Sequence, residues 1–306
     1  MPRVAAIVHS PRYHCDIGRH VFPTEKFALV RDRLLAQGAM TERALLEPVA
    51  APRADLLLAH TAEYLDDLDH LRWTRRTMYS ELPLSEEIVR AYVFAAGGTA
   101  LAAREALQRG FGVNLGGGFH HAFADRAEGF CYINDLAVAI RVLQRDHGIR
   151  RAAVVDCDVH QGNGTAGIFA GDAGVFTLSI HQEMNYPAFK ERGDLDIGLG
   201  NGTGDEEYLA RLDGALDRVW AFGPQLVLYQ AGADPFVEDQ LGGLALTLAG
   251  LERRDERVLE GCRSRGIPAA VTLGGGYARR LEDTVTIHAQ TCAAAIRLAQ
   301  TFPDAR

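Results

Sequence analysis

Short apolar runs alternate along the chain with longer segments in which apolar residues recur at helical spacing. The apolar runs lie at residues 4–8, 111–115, 152–155, 175–180, 226–229 and 269–273. Runs of this kind without regular polar alternation are typical of strands buried on both faces of a parallel sheet. The pattern therefore predicts a parallel α/β architecture.

The segments between these runs carry helix signals. Ser85 followed by two glutamates predicts an N-cap with an acidic first turn, and the alanine-rich stretch behind it continues to Leu107 and stops before Gly110. Further helices are predicted at residues 24–37, 135–145, 206–220, 244–262 and 279–298. No repeat, low-complexity linker or change of composition divides the chain, so we expect one domain over residues 1–306.

Composition and charge narrow the function classes. The chain is 47% apolar and 24% charged, as ordinary globular proteins are. Its net charge is −8 and no basic cluster is dense enough to neutralise a run of phosphates, so nucleic acid is not expected as a partner. The five cysteines are scattered without a CxxC pair, and no signal peptide or uncharged run of about 18 residues is present. We expect a cytoplasmic protein without membrane contact.

Polar side chains follow the apolar runs, where the carboxyl ends of parallel strands form a ligand-binding edge. The run 152–155 leads into Asp156, Asp158 and His160, whose alternate positions share one face if the strand continues. Two carboxylates and an imidazole this close together are suited to a metal ion. The alternative is a capping cluster for a helix over residues 162–169.

A further carboxylate follows the run 226–229. Asp234 completes a candidate three-ligand set with Asp158 and His160. Two Asp and one His leave coordination positions open for water and substrate, which is typical of catalytic rather than structural zinc, and iron or cobalt would accept the same ligands. Taken alone, an Asp before Pro235 is also a common turn residue.

Two glycine-rich segments supply candidate acid–base and oxyanion groups. Residues 116–121 place two adjacent imidazoles after an apolar run, although a glycine-rich turn with solvated histidines is the alternative. Tyr277 follows three glycines at the end of another run, and its phenol is suited to stabilising a developing oxyanion. Neither segment matches a dinucleotide or P-loop signature. Ser179 and His181 are interpreted as supports of the site, not as metal ligands.

Six motifs occur in order along the chain: GGGFHHA, EGFCYIND, DCDVHQGNGT, LSIH, AGADPFVEDQLGG and LGGGYAR. Together with HSPRYH near the start and HTAEYLDDL at residues 60–68, they resemble the zinc-dependent histone deacetylase family over nearly the whole chain. The class IV branch is the most similar, because of QGNG at residues 161–164, the short chain and Leu241 within DQLGG.

The resemblance implies a three-layer α/β/α arginase-like fold with a mainly parallel sheet of about eight strands and the active site at its carboxyl edge. It implies one zinc ion per chain, with Asp158, His160 and Asp234 as ligands. His121 resembles the general base that takes a proton from the attacking water and later supplies one to the leaving amine. His120 resembles its tandem partner.

The same resemblance assigns the supporting catalytic groups. Asp156 would hydrogen-bond His120, and Tyr277 would stabilise the tetrahedral oxyanion. Asn163 stands behind His121, where the larger classes carry Asp. A neutral partner stabilises an imidazolium less, so we predict a lower pKa for His121 than an Asp partner would produce.

Substrate and ion contacts are implied as well. Gly129 and Phe130 resemble a wall of the acyl-lysine tunnel, and Leu241 stands where acetylpolyamine-selective relatives carry a Glu. A structural potassium ion is implied, with contributions from Asp156, Asp158, His160 and Ser179.

The sequence thus predicts a zinc-dependent hydrolase that removes acetyl or longer fatty-acyl groups from lysine side-chain amides of proteins or peptides. The alternatives are hydrolysis of small acylated amines such as polyamines, a binuclear manganese ureohydrolase, and a non-catalytic acyl-lysine-binding protein. Gly162 stands where the ureohydrolase needs another carboxylate, which disfavours it. The presence of every catalytic position disfavours the binding protein.

Overall fold

The computed structural model describes residues 3–303, so residues 1–2 and 304–306 of the expected domain lie outside the described residues. Its strands are β1 (Ala6–Val8), β2 (Leu45–Leu46), β3 (Phe111–Asn114), β4 (Ala152–Asp156), β5 (Val175–Gln182), β6 (Leu195–Leu199), β7 (Leu226–Gln230) and β8 (Ala269–Thr272). They form one eight-stranded sheet in the order β2-β1-β3-β8-β7-β4-β5-β6. Every pairing is parallel, which confirms the predicted sheet.

Nine α-helices connect or flank these strands in the described part of the chain. They are α1 (Lys26–Ala36), α2 (Arg53–Leu56), α3 (Ala62–Asp69), α4 (Glu86–Arg109), α5 (Asp135–His147), α6 (Asn163–Ile168), α7 (Asp205–Phe222), α8 (Leu248–Arg265) and α9 (Leu281–Ala299). Ser85 caps α4 by accepting a hydrogen bond from Ile88 N, as predicted. No helix within residues 3–303 is both long and apolar enough to cross a membrane.

Consecutive residues of the central strands point to opposite faces of the sheet. Val155 and Tyr229 pack into one core with α1, α7, α8 and α9, whereas Val154 and Leu228 pack into a second core with α3, α4 and α5. Because both faces are covered, the central strands are apolar on both sides. The result is the predicted three-layer α/β/α arrangement.

Both edge strands are absent from the predicted runs. β2 has only two residues, which is too short to give a pattern. β6 has one neighbour, and its residues alternate between partly buried and exposed, so it is not a continuous apolar run. Edge position therefore explains why the residue pattern alone misses them.

The predicted helix over residues 244–262 is wrong at its start. α8 begins at Leu248 behind Thr247, whose side chain accepts a hydrogen bond from Gly250 N. Ala245 instead forms an isolated bridge with Gly204, directly before α7, and Leu246 forms one with Phe236 in the segment after β7. These residues are apolar because they lie in a buried extended segment. Over so few residues, apolar spacing cannot distinguish such a segment from the start of a helix.

Candidate active site

The candidate chemical groups lie beyond the carboxyl ends of strands that are adjacent in the sheet. The strands β3, β8, β7 and β4 are consecutive neighbours, and each is followed by one of the polar segments identified in the sequence. This edge is the usual ligand-binding position in a parallel sheet. Segments far apart in sequence therefore meet at one place.

The three predicted metal ligands converge. Ligand atoms of Asp158, His160 and Asp234 all lie within 4.8 Å of one another, and all three residues are buried. His160 Nδ1 is 3.1 Å from Asp158 Oδ1 and 3.3 Å from Asp234 Oδ2. This grouping agrees with the ligand set that the resemblance implies.

The three side chains do not converge by continuation of the strand, contrary to the expectation from the sequence. β4 ends at Asp156, and the chain then turns. Asp156 Oδ1 accepts a hydrogen bond from Asp158 N at 3.1 Å, and Asp158 Oδ1 accepts one from His160 N at 3.0 Å. Two successive side-chain-to-backbone turns, not strand alternation, bring these side chains to the sheet edge.

The surroundings of the three ligands fit a cation. Asp234 Oδ1 accepts a hydrogen bond from Val159 N at 2.8 Å, while the buried Oδ2 has no hydrogen-bond partner among residues 3–303. Asp158 Oδ2 accepts one from Gly275 N at 3.0 Å. Burial and the neighbouring charge of Asp158 raise the pKa of Asp234. A buried carboxylate oxygen without a donor is costly unless a positive charge lies beside it, so the donor set suits a divalent metal.

The two adjacent histidines form a hydrogen-bonded pair below this group. His120 Nδ1 lies 2.6 Å from Asp156 Oδ2, His121 Nδ1 lies 2.7 Å from Asn163 Oδ1, and the two Nε2 atoms are 3.1 Å apart. Both rings are buried. The partners that the resemblance implies, Asp156 and Asn163, therefore stand behind the two rings as expected.

The two rings differ in charge. Burial by itself lowers the pKa of His120, but the carboxylates of Asp156 and Asp158 outweigh it and raise that pKa to about 9. Burial and the positive charge of His120 hold the pKa of His121 well below its ordinary value. The surroundings thus favour a proton on His120 and disfavour a positive charge on His121. The comparison with an Asp behind His121 stays a prediction.

Tyr277 lines the same cavity as both histidines and His160. Burial raises the pKa of Tyr277 well above its ordinary value, so its phenol keeps its proton. The backbone N–H of Tyr277 donates to Asp239 Oδ2 at 2.7 Å. Asp239 Oδ1 accepts from Leu241 N at 2.8 Å, so one carboxylate positions both the tyrosine and the residue at the cleft mouth.

A cleft of about 200 Å³ leads from these groups to the surface. Gly129, Phe130 and Leu241 line it, as the resemblance implies, and Tyr186 forms a further wall. A Cβ on Gly129 would lie 2.7 Å from His121 Cδ2 and 2.8 Å from Tyr186 Cε1, and its φ is +50°. Glycine is therefore required at this position of the wall.

The four residues expected at a potassium ion are placed close together. Asp156 and Ser179 are register partners on β4 and β5. Asp158 and His160 follow directly in the turn after β4. Ser179 Oγ lies 2.9 Å from Nδ1 of the buried His181, which is a partner of Ser179 and not a member of the metal group.

Sequence reasoning missed several residues that shape the site. Lys26 is fully buried, its Nζ donates to Gly274 O at 2.7 Å, and burial lowers its pKa to about 8. Its only sequence signal is that it is one of two lysines in the chain. Phe22 lines the cavity, and Glu128 bonds Asn163. Glu128 begins the EGFCYIND motif, but nothing local indicates its contact with Asn163, and no local pattern assigns Lys26 or Phe22 to the site.

The motifs and geometry agree with comparisons against known proteins. The histone deacetylase domain matches residues 20–292. The chain is 42% identical to an uncharacterized protein of Picosynechococcus sp., covering 92% of this chain and 95% of that protein. It is 33% identical to histone deacetylase 2 of Arabidopsis thaliana, covering 87% and 73%. The crystal structure of an HDAC homolog complexed with SAHA matches with a TM-score of 0.83 and 28% identity, covering 97% and 84%. The chain therefore belongs to the histone deacetylase family and is a deacetylase-type hydrolase.

Proposed function

We propose that this protein is a zinc-dependent hydrolase of acyl-lysine amides in proteins or peptides. The observation that carries the proposal is the convergence of Asp158, His160 and Asp234 with the His120–His121 pair on one cleft. A narrow cleft that ends at a metal-binding group and a neutral base suits a long side chain that carries a scissile amide at its tip.

Asp158, His160 and Asp234 would hold the metal. Bound zinc supplies Lewis-acid polarisation of the amide carbonyl and lowers the pKa of the attacking water. His121 accepts the proton of that water at Nε2, since Asn163 holds Nδ1. The same ring then returns a proton to the leaving amine. Tyr277 donates its phenolic hydrogen to the developing oxyanion.

The finer assignments follow the resemblance. We propose a class IV-like enzyme that works as one catalytic domain over residues 1–306 and prefers long fatty-acyl lysine to acetyl-lysine. Leu241 puts an uncharged side chain at the cleft position where acetylpolyamine-selective relatives carry a Glu, although Glu81 also lines this cleft. A structural potassium ion is proposed beside Asp156 and Ser179, with Asp158 and His160 contributing oxygens.

Turnover by the purified, zinc-loaded protein tests the proposal. The substrates are acetyl-, octanoyl- and myristoyl-lysine peptides and acetylated polyamines, with His121→Ala and Tyr277→Phe as site variants. Loss of the base or of the oxyanion donor should each lower kcat by at least about 100-fold. His70→Gln, an exposed histidine at the end of α3, is the matched control and should leave kcat unchanged.

The possible results separate the alternatives. Cleavage of acyl-lysine that His121→Ala abolishes supports the proposal, and faster turnover of myristoyl- than of acetyl-lysine supports the acyl preference. Cleavage confined to acetylated polyamines would replace acyl-lysine with small amines. No cleavage by protein with one bound zinc per chain would contradict the proposed reaction, and two bound metals would favour the binuclear alternative.

A further inference from the structure

Glu128 lies behind the imidazole pair, one hydrogen bond beyond Asn163. Its Oε1 accepts a hydrogen bond from Asn163 Nδ2 at 2.6 Å, and Asn163 Oδ1 lies 2.7 Å from His121 Nδ1. The Glu128 side chain is 19% exposed, so water competes little for its carboxylate. The three side chains form a hydrogen-bonded series that ends in a carboxylate, whose other oxygen, Oε2, accepts from Arg126 Nε at 3.4 Å.

This series permits one arrangement of protons. A carboxylate only accepts hydrogen bonds, so Asn163 must turn its NH2 group to Glu128 and its carbonyl oxygen to His121. That oxygen also only accepts, so Nδ1 of His121 carries the proton and Nε2 keeps a lone pair. A base with its lone pair at Nε2 is the form that the proposed reaction needs.

The backbone around Glu128 holds the carboxylate in place. Glu128 N donates to Cys131 O at 3.1 Å, and Cys131 N donates to Glu128 O at 2.9 Å. Between them, Gly129 and Phe130 both have positive φ, and their N–H groups donate to the carbonyls of residues 79–80. One tight turn therefore carries both the carboxylate and a wall of the cleft.

Glu128 also connects to the opposite wall. Tyr186 OH donates to Glu128 Oε1 at 3.3 Å, and the Tyr186 ring packs edge-to-face against His121 with ring centroids 5.0 Å apart. The same carboxylate oxygen thus bonds the group behind the base and the group beside it. Displacement of Glu128 would loosen both contacts of the His121 ring.

We propose that Glu128 is a positioning residue for the general base. It orients the Asn163 amide and thereby selects the Nδ1–H tautomer of His121. Its carboxylate also places a negative charge one hydrogen bond beyond Asn163, which is itself neutral. The effect of Glu128 on turnover rests on the function proposed above. The effect of Glu128 on the His121 tautomer does not depend on that function, so the two effects can be tested separately.

Two substitutions of Glu128 separate orientation from charge. Glu128→Gln keeps an acceptor for Asn163 and removes the charge, so we expect kcat to fall about fivefold with KM within about twofold. Glu128→Ala removes both and leaves the amide free to turn, so we expect a loss in kcat of at least about 30-fold. The control is Asp125→Asn on the same loop, 62% exposed, which should retain the wild-type kcat. A Glu128→Ala enzyme within about twofold of wild type would overturn the proposal.

A reciprocal substitution tests the coupling. Asn163→Asp places a second carboxylate against Glu128, and like charges at that distance disfavour each other. We expect Asn163→Asp to lose at least about 100-fold in kcat and the double variant Asn163→Asp/Glu128→Gln to return to within about fivefold of wild type. If the loss of kcat in the double variant equals the product of the losses in the two single variants, the two side chains are not in direct contact and the coupling is contradicted.

A spectroscopic measurement is independent of turnover. In zinc-loaded protein with ¹⁵N-labelled histidine, the His121 resonances should report the Nδ1–H tautomer in wild type and Glu128→Gln, and a mixture in Glu128→Ala. An unchanged tautomer in Glu128→Ala would refute the positioning role. If wild type cleaves no amide in the panel, the proposed function fails while this comparison still decides the role of Glu128.

Discussion

Gly275 occupies a position where one added methyl group would meet both metal-binding carboxylates. A Cβ there would lie 2.1 Å from Asp234 Oδ2 and 2.7 Å from Asp158 Oδ2. Its φ is outside the left-handed region, so alanine is compatible with the backbone and the conflict is purely steric. The glycine keeps open the space between the ligand oxygens.

We therefore predict that Gly275→Ala weakens zinc binding by about fivefold to 100-fold, because overpacking of about 1–3 kcal/mol falls on the ligand oxygens themselves. Isothermal titration calorimetry with zinc measures it. Gly214→Ala is the matched control: nothing lies within 4 Å of its added Cβ on the exposed face of α7. That change should stabilise α7 by up to about 1 kcal/mol and leave zinc affinity intact. Wild-type affinity in Gly275→Ala would show that the carboxylates move aside.

At the scale of elements, the segment before α3 is tied to the start of α5 through His60. Nδ1 of His60 donates to Phe123 O at 2.9 Å, and its Nε2 accepts from Asn134 N at 3.1 Å. Asn134 is the N-cap of α5 and also donates to Ala122 O at 3.0 Å. A neutral imidazole thus fixes both ends of the loop over residues 123–134, which carries the cleft wall.

Burial lowers the pKa of His60 from 6.5 to about 4, which makes stability depend on pH. Between these values the unfolded chain binds a proton that the folded protein does not, so the contribution is fully present above pH 6.5 and is lost as the pH falls towards 4. From pH 7 to pH 5 we expect His60 to account for about 2 kcal/mol of lost unfolding free energy. Urea unfolding of His60→Gln at pH 7 and pH 5 should show a loss of unfolding free energy that is smaller by this amount. The variant of the exposed His70, His70→Gln, should lose as much as wild type. Parallel curves for His60→Gln and wild type would contradict the assignment.

At the scale of the whole molecule, one buried ion pair joins the sheet to a helical layer. Arg254 on α8 is fully buried, and its Nη1 donates to the carbonyls of Gly232 at 2.6 Å and Cys157 at 3.3 Å. Its Nε donates to Asp255, which also accepts from Tyr229 OH at 2.5 Å. The loops after β4 and β7 that carry the metal ligands are therefore braced from behind by the helices.

Arg254→Ala should lower the free energy of unfolding by about 3–5 kcal/mol, because it leaves the Asp255 charge buried without its partner. Denaturant unfolding measures the change. Arg257→Ala on the same helix removes an exposed ion pair with Asp213 and should cost no more than about 1 kcal/mol. Equal losses in the two variants would mean that the buried pair contributes no more than a surface one.

Local signals account for much of the fold. Central strands are recognisable because burial on both faces makes them continuous apolar runs, and α4 is recognisable from its cap and acidic first turn. The edge strands β2 and β6 and the start of α8 are not, since partial burial and isolated bridges leave no local period. Motif order is a property of residue identity alone, and it identified the family before any geometry was known.

The sequence by itself determined the parallel α/β class through local apolar runs. Through residue identity and motif order, it also indicated the candidate metal ligands and the two adjacent histidines. Only the tertiary structure decided which groups meet. Lys26 reaches Gly274 across 248 positions, and Glu128 reaches Asn163 across 35. Contacts of that range arise from how helices and strand ends pack, and no local pattern encodes them.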